Sequence, residues 1–303
     1  MEQQQLVNEL AGMVGPVPET VEVLGLQQHT PDAVEQRMQR LLDLVGDRIG
    51  VRPERRDRVR EDDRSVFRLP LGGRVTGYHA SGAVHLSTGL PPMERLIGPE
   101  RARDELLAMV QPAAELLDMP GWTGRDEELV FERLWQIKAC AADPGGTRAA
   151  PVVCRAVGAY RHVVRGLPVL GSASAAVQVA ADSQIDTVRV FVRSTTGNVL
   201  DTPRSLEPQE AALRAVRQLN GLIPEAGRSF SDIATPVSFR FGYLSLSKRA
   251  PQSLLAPMYV AEVRTDGEES MSYLAAVPGT ETEYLPLSRV GSGPATSQRR
   301  PPH

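Results

Sequence analysis

Three times along this 303-residue chain a stretch of period 3.6 gives way to runs of period 2, and this alternation constrains the fold more than any motif. The first helical stretch opens on Thr30-Pro31, the threonine as cap and the proline at the first helical position. It carries Val34, Met38, Leu41, Leu42 and Val45 on one face, and Gly46 is expected to stop it. The second opens at Gly98-Pro99-Glu100 and keeps Ala102, Leu106, Met109, Val110, Ala113 and Leu117 in phase as far as Pro120-Gly121, with Pro112 inside it as a kink. The third opens at Ser205-Leu206-Glu207-Pro208, with Leu213, Val216 and Leu219 on one face.

Behind each helix the period falls to 2. "SVFRLPLGGRVTGYHASGAVHLS" reads as short strands joined by Gly-rich turns. "ELVFERLWQIKACA", "PVVCRAVGAYRHVV", "SASAAVQVAA" and "TVRVFVRS" follow the second helix. Phe131, Trp135 and Ile137 are expected on one face of the first of these, and Val188, Val190 and Val192 on one face of the last. Behind the third helix come "PVSFRFGYLSL", "MYVAEVRT" and "MSYLAAV", the last two around an Asp266-Gly267 turn. Helices alternating with hairpin-linked strands predict an α+β fold of tandem helix-plus-antiparallel-sheet units. The expected division is a flexible segment 1–29, units at 30–97, 98–204 and 205–287, and a disordered tail 288–303. The charge run at 51–64 is expected to be a solvated loop.

A net charge of −3 gives no polycationic surface for DNA or anionic lipid, so nucleic acid is not an expected partner. The basic residues are arginines apart from Lys138 and Lys248, a bias that reads as base composition of the gene. The uncharged run Gly166 to Ala181 is too short and too rich in Gly, Pro and Ser to span a bilayer. The N-terminal residues lack the basic and continuous apolar regions of a secretory signal. The expected location is therefore cytoplasmic, or exported if a signal has been removed.

Familiar catalytic patterns are missing: no His-Glu-x-x-His, no phosphate-cradling Gly-x-x-x-x-Gly-Lys, no dinucleotide fingerprint and no nucleophile elbow. No metal and no cofactor are expected. Of the histidines, His79, His85 and His162 fall in strands, and no acid is spaced in sequence to orient any of them. Cys140 and Cys154 flank the turn chemistry of Asp143-Pro144-Gly145-Gly146. A hairpin symmetric about residue 147 would oppose the two thiols, either as a cross-strand disulfide or, in a reducing compartment, as free buried cysteines.

The stretch "YRHVVRGLPVLGSASAAVQV" joins two strands through Gly166, Pro168 and Gly171, which supply backbone shape but no acid, base or nucleophile, so they are read as a structural corner. Tyr160, Gly166, Pro168, Val169 and Gly171 resemble the pattern of the propeptide module of thermolysin-like and fungalysin-like proteases and of the related PepSY domains. The resemblance is best over residues 128–220. It implies a cystatin-like module that binds another polypeptide, although no zinc-protease motif accompanies it here. The expected function is therefore non-catalytic binding of a peptide or partner protein through sheet faces or edges, with Tyr160, Arg161 and His162 as candidate contacts. Two alternatives stay open. One is an accessory enzyme of peptide or natural-product maturation with a pocket between units. The other is a scaffold that self-associates through strand edges.

Overall fold

The computed structural model of the chain describes residues 2–49, 57–140, 149–171, 174–225, 233–265 and 271–287. In chain order these form α1 (Gln3–Met13), β1 (Val23–Leu26), α2 (Pro31–Ile49), β2 (Arg58–Arg60), β3 (Arg64–Arg68), β4 (Arg74–Tyr78), β5 (Val84–Ser87), α3 (Arg103–Leu116), β6 (Glu127–Ala139), β7 (Val152–Val164), β8 (Leu167–Gly171), β9 (Ser174–Val179) and β10 (Ile185–Val190). The remainder is β11 (Thr195–Asp201), α4 (Pro208–Glu225), β12 (Ile233–Ser245), β13 (Leu254–Leu255), β14 (Pro257–Thr265) and β15 (Ser272–Pro278). The fold is α+β. Within the described residues, one compact unit gathers the chain up to Leu24, Val199–Leu244 and the residues from Leu254 on. The other holds Gly25–Asn198 and Ser245–Ser253.

In the first unit β12, β14 and β15 form an antiparallel meander. It packs against α4, whose buried stripe is Ala211, Ala212, Ala215, Val216, Leu219 and Ile223. Tyr259 stacks on Phe239 with ring centroids 5.2 Å apart and donates its hydroxyl to the Leu206 carbonyl at 2.7 Å. A bulge between Pro236 and Ser238 takes Val237 out of the face shared by Phe239, Phe241 and Tyr243, and Val237 is exposed. The N-terminal residues differ from expectation. They form α1, which packs on α4 and buries Leu6, Val7 and Leu10, so this stretch is held by apolar burial instead of running free.

The larger unit is built on one antiparallel sheet. Its strands run in the order β2–β3–β4–β5–β10–β9–β7, with β6 on the far side of β7. The pairing of β5 with β10 places the segments 30–97 and 98–204 in the same sheet, so no unit boundary falls at 97/98. The charge run also departs from a loop where it is described. β2 pairs with β3, and Arg60 bridges to Asp32 at 2.6 Å and to Glu35 at 2.8 Å on α2. The tail 288–303 and the Asp143–Gly146 turn lie outside the described residues.

Both helices of this unit lie on one face of the sheet. Thr30 caps α2 as expected, its Oγ1 accepting from the Ala33 amide at 3.2 Å, but the helix continues past Gly46 to Ile49. Helix α3 begins at Arg103, later than the sequence suggests, and accommodates Pro112 within it. Val34, Met38, Leu41, Leu106, Val110 and Leu117 meet Phe67, Val75, Val84, Leu86, Val177, Val188 and Val190 in a single core. Two glycines set how close the helices come. A Cβ on Gly77 of β4 would lie 2.4 Å from Val34 Cγ1, and one on Gly158 of β7 would lie 2.5 Å from Val110 Cγ1.

The corner that links β7 to β8 is a two-residue turn. Val164 pairs with Leu167, and the central residues Arg165 and Gly166 have φ of +48° and +79°, the signs a type I′ hairpin turn requires. Pro168 follows opposite Val163, and Gly171, with φ of +82°, ends β8.

Helix contact through Gly77 and Gly158 leads to a direct expectation. Gly77→Ala and Gly158→Ala each overpack a closed interface and lower stability by about 1–3 kcal/mol. Urea unfolding followed by far-UV circular dichroism checks this, and a change below about 0.5 kcal/mol in both would contradict the packing described.

Candidate functional site

Because side chains alternate across a strand, everything in the larger unit that does not face α2 and α3 faces the other way. On β10, Val188 and Val190 enter the core while Thr187 and Arg189, and Phe191 just past the strand's end, point outward. On β9 the outward set is Ser174, Ala176 and Gln178, and on β7 it is Val157, Ala159 and Arg161. Two depressions lie on this face. One, of about 260 Å³, is bordered by Trp135, Ile137, Arg133, Arg161, Arg189 and Phe191. The other, of about 440 Å³, is bordered by Arg64, Arg68, Arg74, Thr76, Tyr78 and His85.

The face is cationic, although the whole chain carries a net charge of −3. Arg68, Arg74, Arg133 and Arg189 are exposed, and none forms an ion pair among the described residues. Arg133 instead lies over the Trp135 ring at 5.3 Å. The segment Ser245–Ser253 adds a further charge: Lys248 Nζ sits 4.6 Å from the Tyr78 ring centroid and 5.1 Å from that of Phe191. His85, edge-on to Phe191, registers this field. Burial first, then the charges of Arg189, Lys248 and Arg74, push its pKa down to about 4. Arg161 differs, being held bidentately by Glu132 at 2.9 Å and bonded to the Val169 carbonyl.

Strand β6 borders the face. It is thirteen residues long and, among the described residues, pairs only with β7. A bulge between Phe131 and Arg133 re-aims the strand. Phe131 consequently turns to the helix side, edge-on to Tyr160 at 5.6 Å, while Trp135 and Ile137 are each 40% exposed on the open side. The expected common face of Phe131, Trp135 and Ile137 is thus broken by one inserted residue. The same strand pair fixes the cysteines. Ala139 pairs with Val152 and Lys138 with Val153, while Cys154 sits at a second bulge. The hairpin is therefore not symmetric about residue 147, and it leaves Cys154 buried and Cys140 exposed, with neither in a disulfide.

Of the three expected contacts on β7, only Arg161 faces the open side. Tyr160 packs toward α3, where burial, then the charge of Glu115, raises its pKa. His162 is fully buried, its Nε2 3.0 Å from Glu127 Oε2. The acid that orients this histidine is therefore present, brought by strand pairing from 35 residues away. The other oxygen of Glu127 accepts from the Thr195 amide at 2.6 Å and its hydroxyl at 2.7 Å, and Gly124 donates to Oε2 at 3.0 Å. These hydrogen bonds outweigh burial and hold the Glu127 carboxyl below its ordinary value of 4.5. With both side chains at 0% exposure the pair reaches no substrate and acts as an internal tie.

A second pairing looks like catalytic chemistry and is also closed. Ser65 Oγ lies 3.1 Å from His79 Nε2, but it is also 2.9 Å from Glu35 Oε1 and the residue has no exposed surface. Arg155, 2% exposed, shows a third use of buried charge on the outward side. It pairs with Asp186 at 2.6 Å and donates to the carbonyls of Pro91, Pro92 and Glu94, anchoring that loop over one end of the face.

No family model matches the chain, and no curated protein matches it. Among solved structures it is similar to an uncharacterized protein from Eubacterium rectale ATCC 33656, at a TM-score of 0.51 and 9% identity. The match covers 89% of this chain and 88% of that one. At that identity the likeness concerns the fold alone.

The Glu127 tie has a pH signature. A carboxyl whose folded pKa is depressed contributes its stability in full above the unfolded value and loses it as pH falls through the folded one, below 4.5. Glu127→Gln is expected to cost about 3 kcal/mol at neutral pH and to flatten the acid limb of the stability profile. Urea midpoints between about pH 3 and 7 measure both. A variant whose acid limb parallels the parent's would show that the carboxylate is not the group responsible.

Proposed function

We propose that this protein is a non-catalytic binding protein whose larger unit takes an extended, acidic segment of a partner polypeptide across its open sheet face and along the edge of β6. The reading rests on one observation: the exposed Arg68, Arg74, Arg133 and Arg189, which form no ion pair among the described residues, share a face with Trp135 and Phe191. Unpaired guanidinium groups beside aromatic rings favour carboxylates interleaved with apolar side chains, and they steer such a segment from a distance. An added strand would satisfy the backbone groups of β6 that pair with no strand among the described residues, and place alternate side chains against Trp135 and Ile137.

The finer family reading, a PepSY-like or cystatin-like module best over 128–220, belongs to the same proposal. Its support is that α3 crosses the meander β6–β7–β9–β10 on one face and leaves the other open. A module of that kind binds another polypeptide, which gives the open face a use.

Fluorescence anisotropy with a labelled twelve-residue peptide alternating Glu with Val or Leu tests the proposal, with a Lys-for-Glu peptide as control. The acidic peptide is expected to bind, and more weakly as NaCl rises. The double reversal Arg133→Glu with Arg189→Glu is expected to lower affinity at least tenfold without moving the unfolding midpoint. Equal binding of the Lys peptide, unchanged affinity in the reversal variant, or tighter binding of a single-stranded oligonucleotide would each overturn it.

A further inference from the structure

The strand register sets like charges opposite one another at one end of the open face. Arg68 of β3 pairs with Arg74 of β4, and Arg64 with Tyr78. On the other side of β4, Thr76 pairs with His85 of β5. Alternate residues of a strand share a face, and Phe67 and Val75 take the side of the helices. Arg64, Arg68, Arg74, Thr76, Tyr78 and His85 therefore converge on the other side, where they line the depression of about 440 Å³. That volume lies within the range of small-molecule sites, about 300–1,000 Å³.

The cations of this depression are not equally compensated. Arg64 is held by Glu61, which also lines it, with Nη2 2.6 Å and Nε 2.7 Å from Oε2. Arg68 and Arg74 are exposed and form neither an ion pair nor a side-chain hydrogen bond among the described residues. Residues directly opposed on one face have Cβ atoms about 4.5–5.5 Å apart, and like charges there repel. Lys248 adds to the field, its Nζ 4.6 Å from the Tyr78 ring centroid. Two hydroxyls accompany the charges: neither Thr76 nor Tyr78 makes a side-chain hydrogen bond among the described residues. His85 is neutral at ordinary pH, because burial and then Arg189, Lys248 and Arg74 push its pKa to about 4.

We propose that this depression binds the phosphomonoester group of a small soluble molecule, with the dianion between the Arg68 and Arg74 guanidinium groups. A phosphomonoester brings close to two negative charges and three acceptor oxygens. Two planar guanidinium forks and the hydroxyls of Thr76 and Tyr78 supply donors for all of them. A carboxylate would neutralise one arginine and leave the other facing it. For the peptide reading Arg68 and Arg74 are a distant source of attraction, whereas here they are the contact. Arg133 and Arg189, on which the peptide test turns, do not line this depression. Strand β6 lies five strand spacings from β4, about 24 Å across the sheet. Either reading can therefore fail without the other.

The test is a calorimetric titration of the full chain with phenyl phosphate at about pH 8, where the monoester is a dianion. Benzoate at matched ionic strength is the control, and the ring signals of His85 in NMR spectra report occupancy at the site. Phenyl phosphate is expected to bind saturably, at least tenfold more tightly than benzoate, and to shift the His85 signals. Arg68→Gln and Arg74→Gln are each expected to weaken it at least tenfold. Arg217→Glu, a larger change of charge at an exposed position, should leave binding unchanged. Removing one of two opposed like charges should not lower the urea midpoint, so a fall in that midpoint for Arg74→Gln would show a structural role and overturn the assignment. Benzoate binding as tightly as phenyl phosphate, full binding by either glutamine variant, or His85 signals that do not respond would overturn it too. Tighter binding of a phosphoserine peptide than of phenyl phosphate would make the ligand a modified polypeptide and overturn the assignment to a small molecule.

Discussion

Helices α2 and α3 can cover only one side of the sheet on which they lie, and both lie on the same side. Outside the bulges, strand alternation then sorts the residues of that sheet into those that face the helices and those that face away. Gly77 and Gly158 let the helices come close enough to seal the first set, and Val188 and Val190 belong to it. Thr187 and Arg189, one position out of phase on β10, and Phe191 just past its end belong to the second. The open face is therefore a direct consequence of where the helices dock, and its chemistry is whatever the outward positions carry.

Buried charge is used as fastening. Glu127 joins the start of β6 to the end of β7 and to Thr195, and Arg155 holds the 91–94 loop through backbone carbonyls as well as Asp186. Each of these groups is fully surrounded by partners, which is the condition under which a desolvated charge is tolerated.

Local signals were legible where one residue decides the geometry. Thr30 as a cap, the Gly166 corner and the inward Val188/Val190 face all follow from neighbours in sequence. The outward Arg189 and Phe191 were legible by the same alternation. Other features depend on an inserted residue. The β6 bulge sends Phe131 and Trp135 to opposite sides, and the bulge at Cys154 removes it from the register that symmetry about residue 147 would assign. Helix α1 escaped notice because a single pair of turns, Leu6, Val7 and Leu10, is too short a pattern to separate from a loop until α4 is there to receive it. The tie from Glu127 to Thr195 spans 68 residues, so no spacing rule reaches it.

The central claim is that the open face and the edge of β6 that pairs with no strand among the described residues form one polypeptide-binding surface. Amide hydrogen exchange with and without the acidic peptide measures it residue by residue. Slowed exchange at alternate amides along Glu127–Ala139, with α2 and α3 unchanged, is the expected result. Protection confined to the helices, or a β6 whose exchange does not respond to bound peptide, would contradict it.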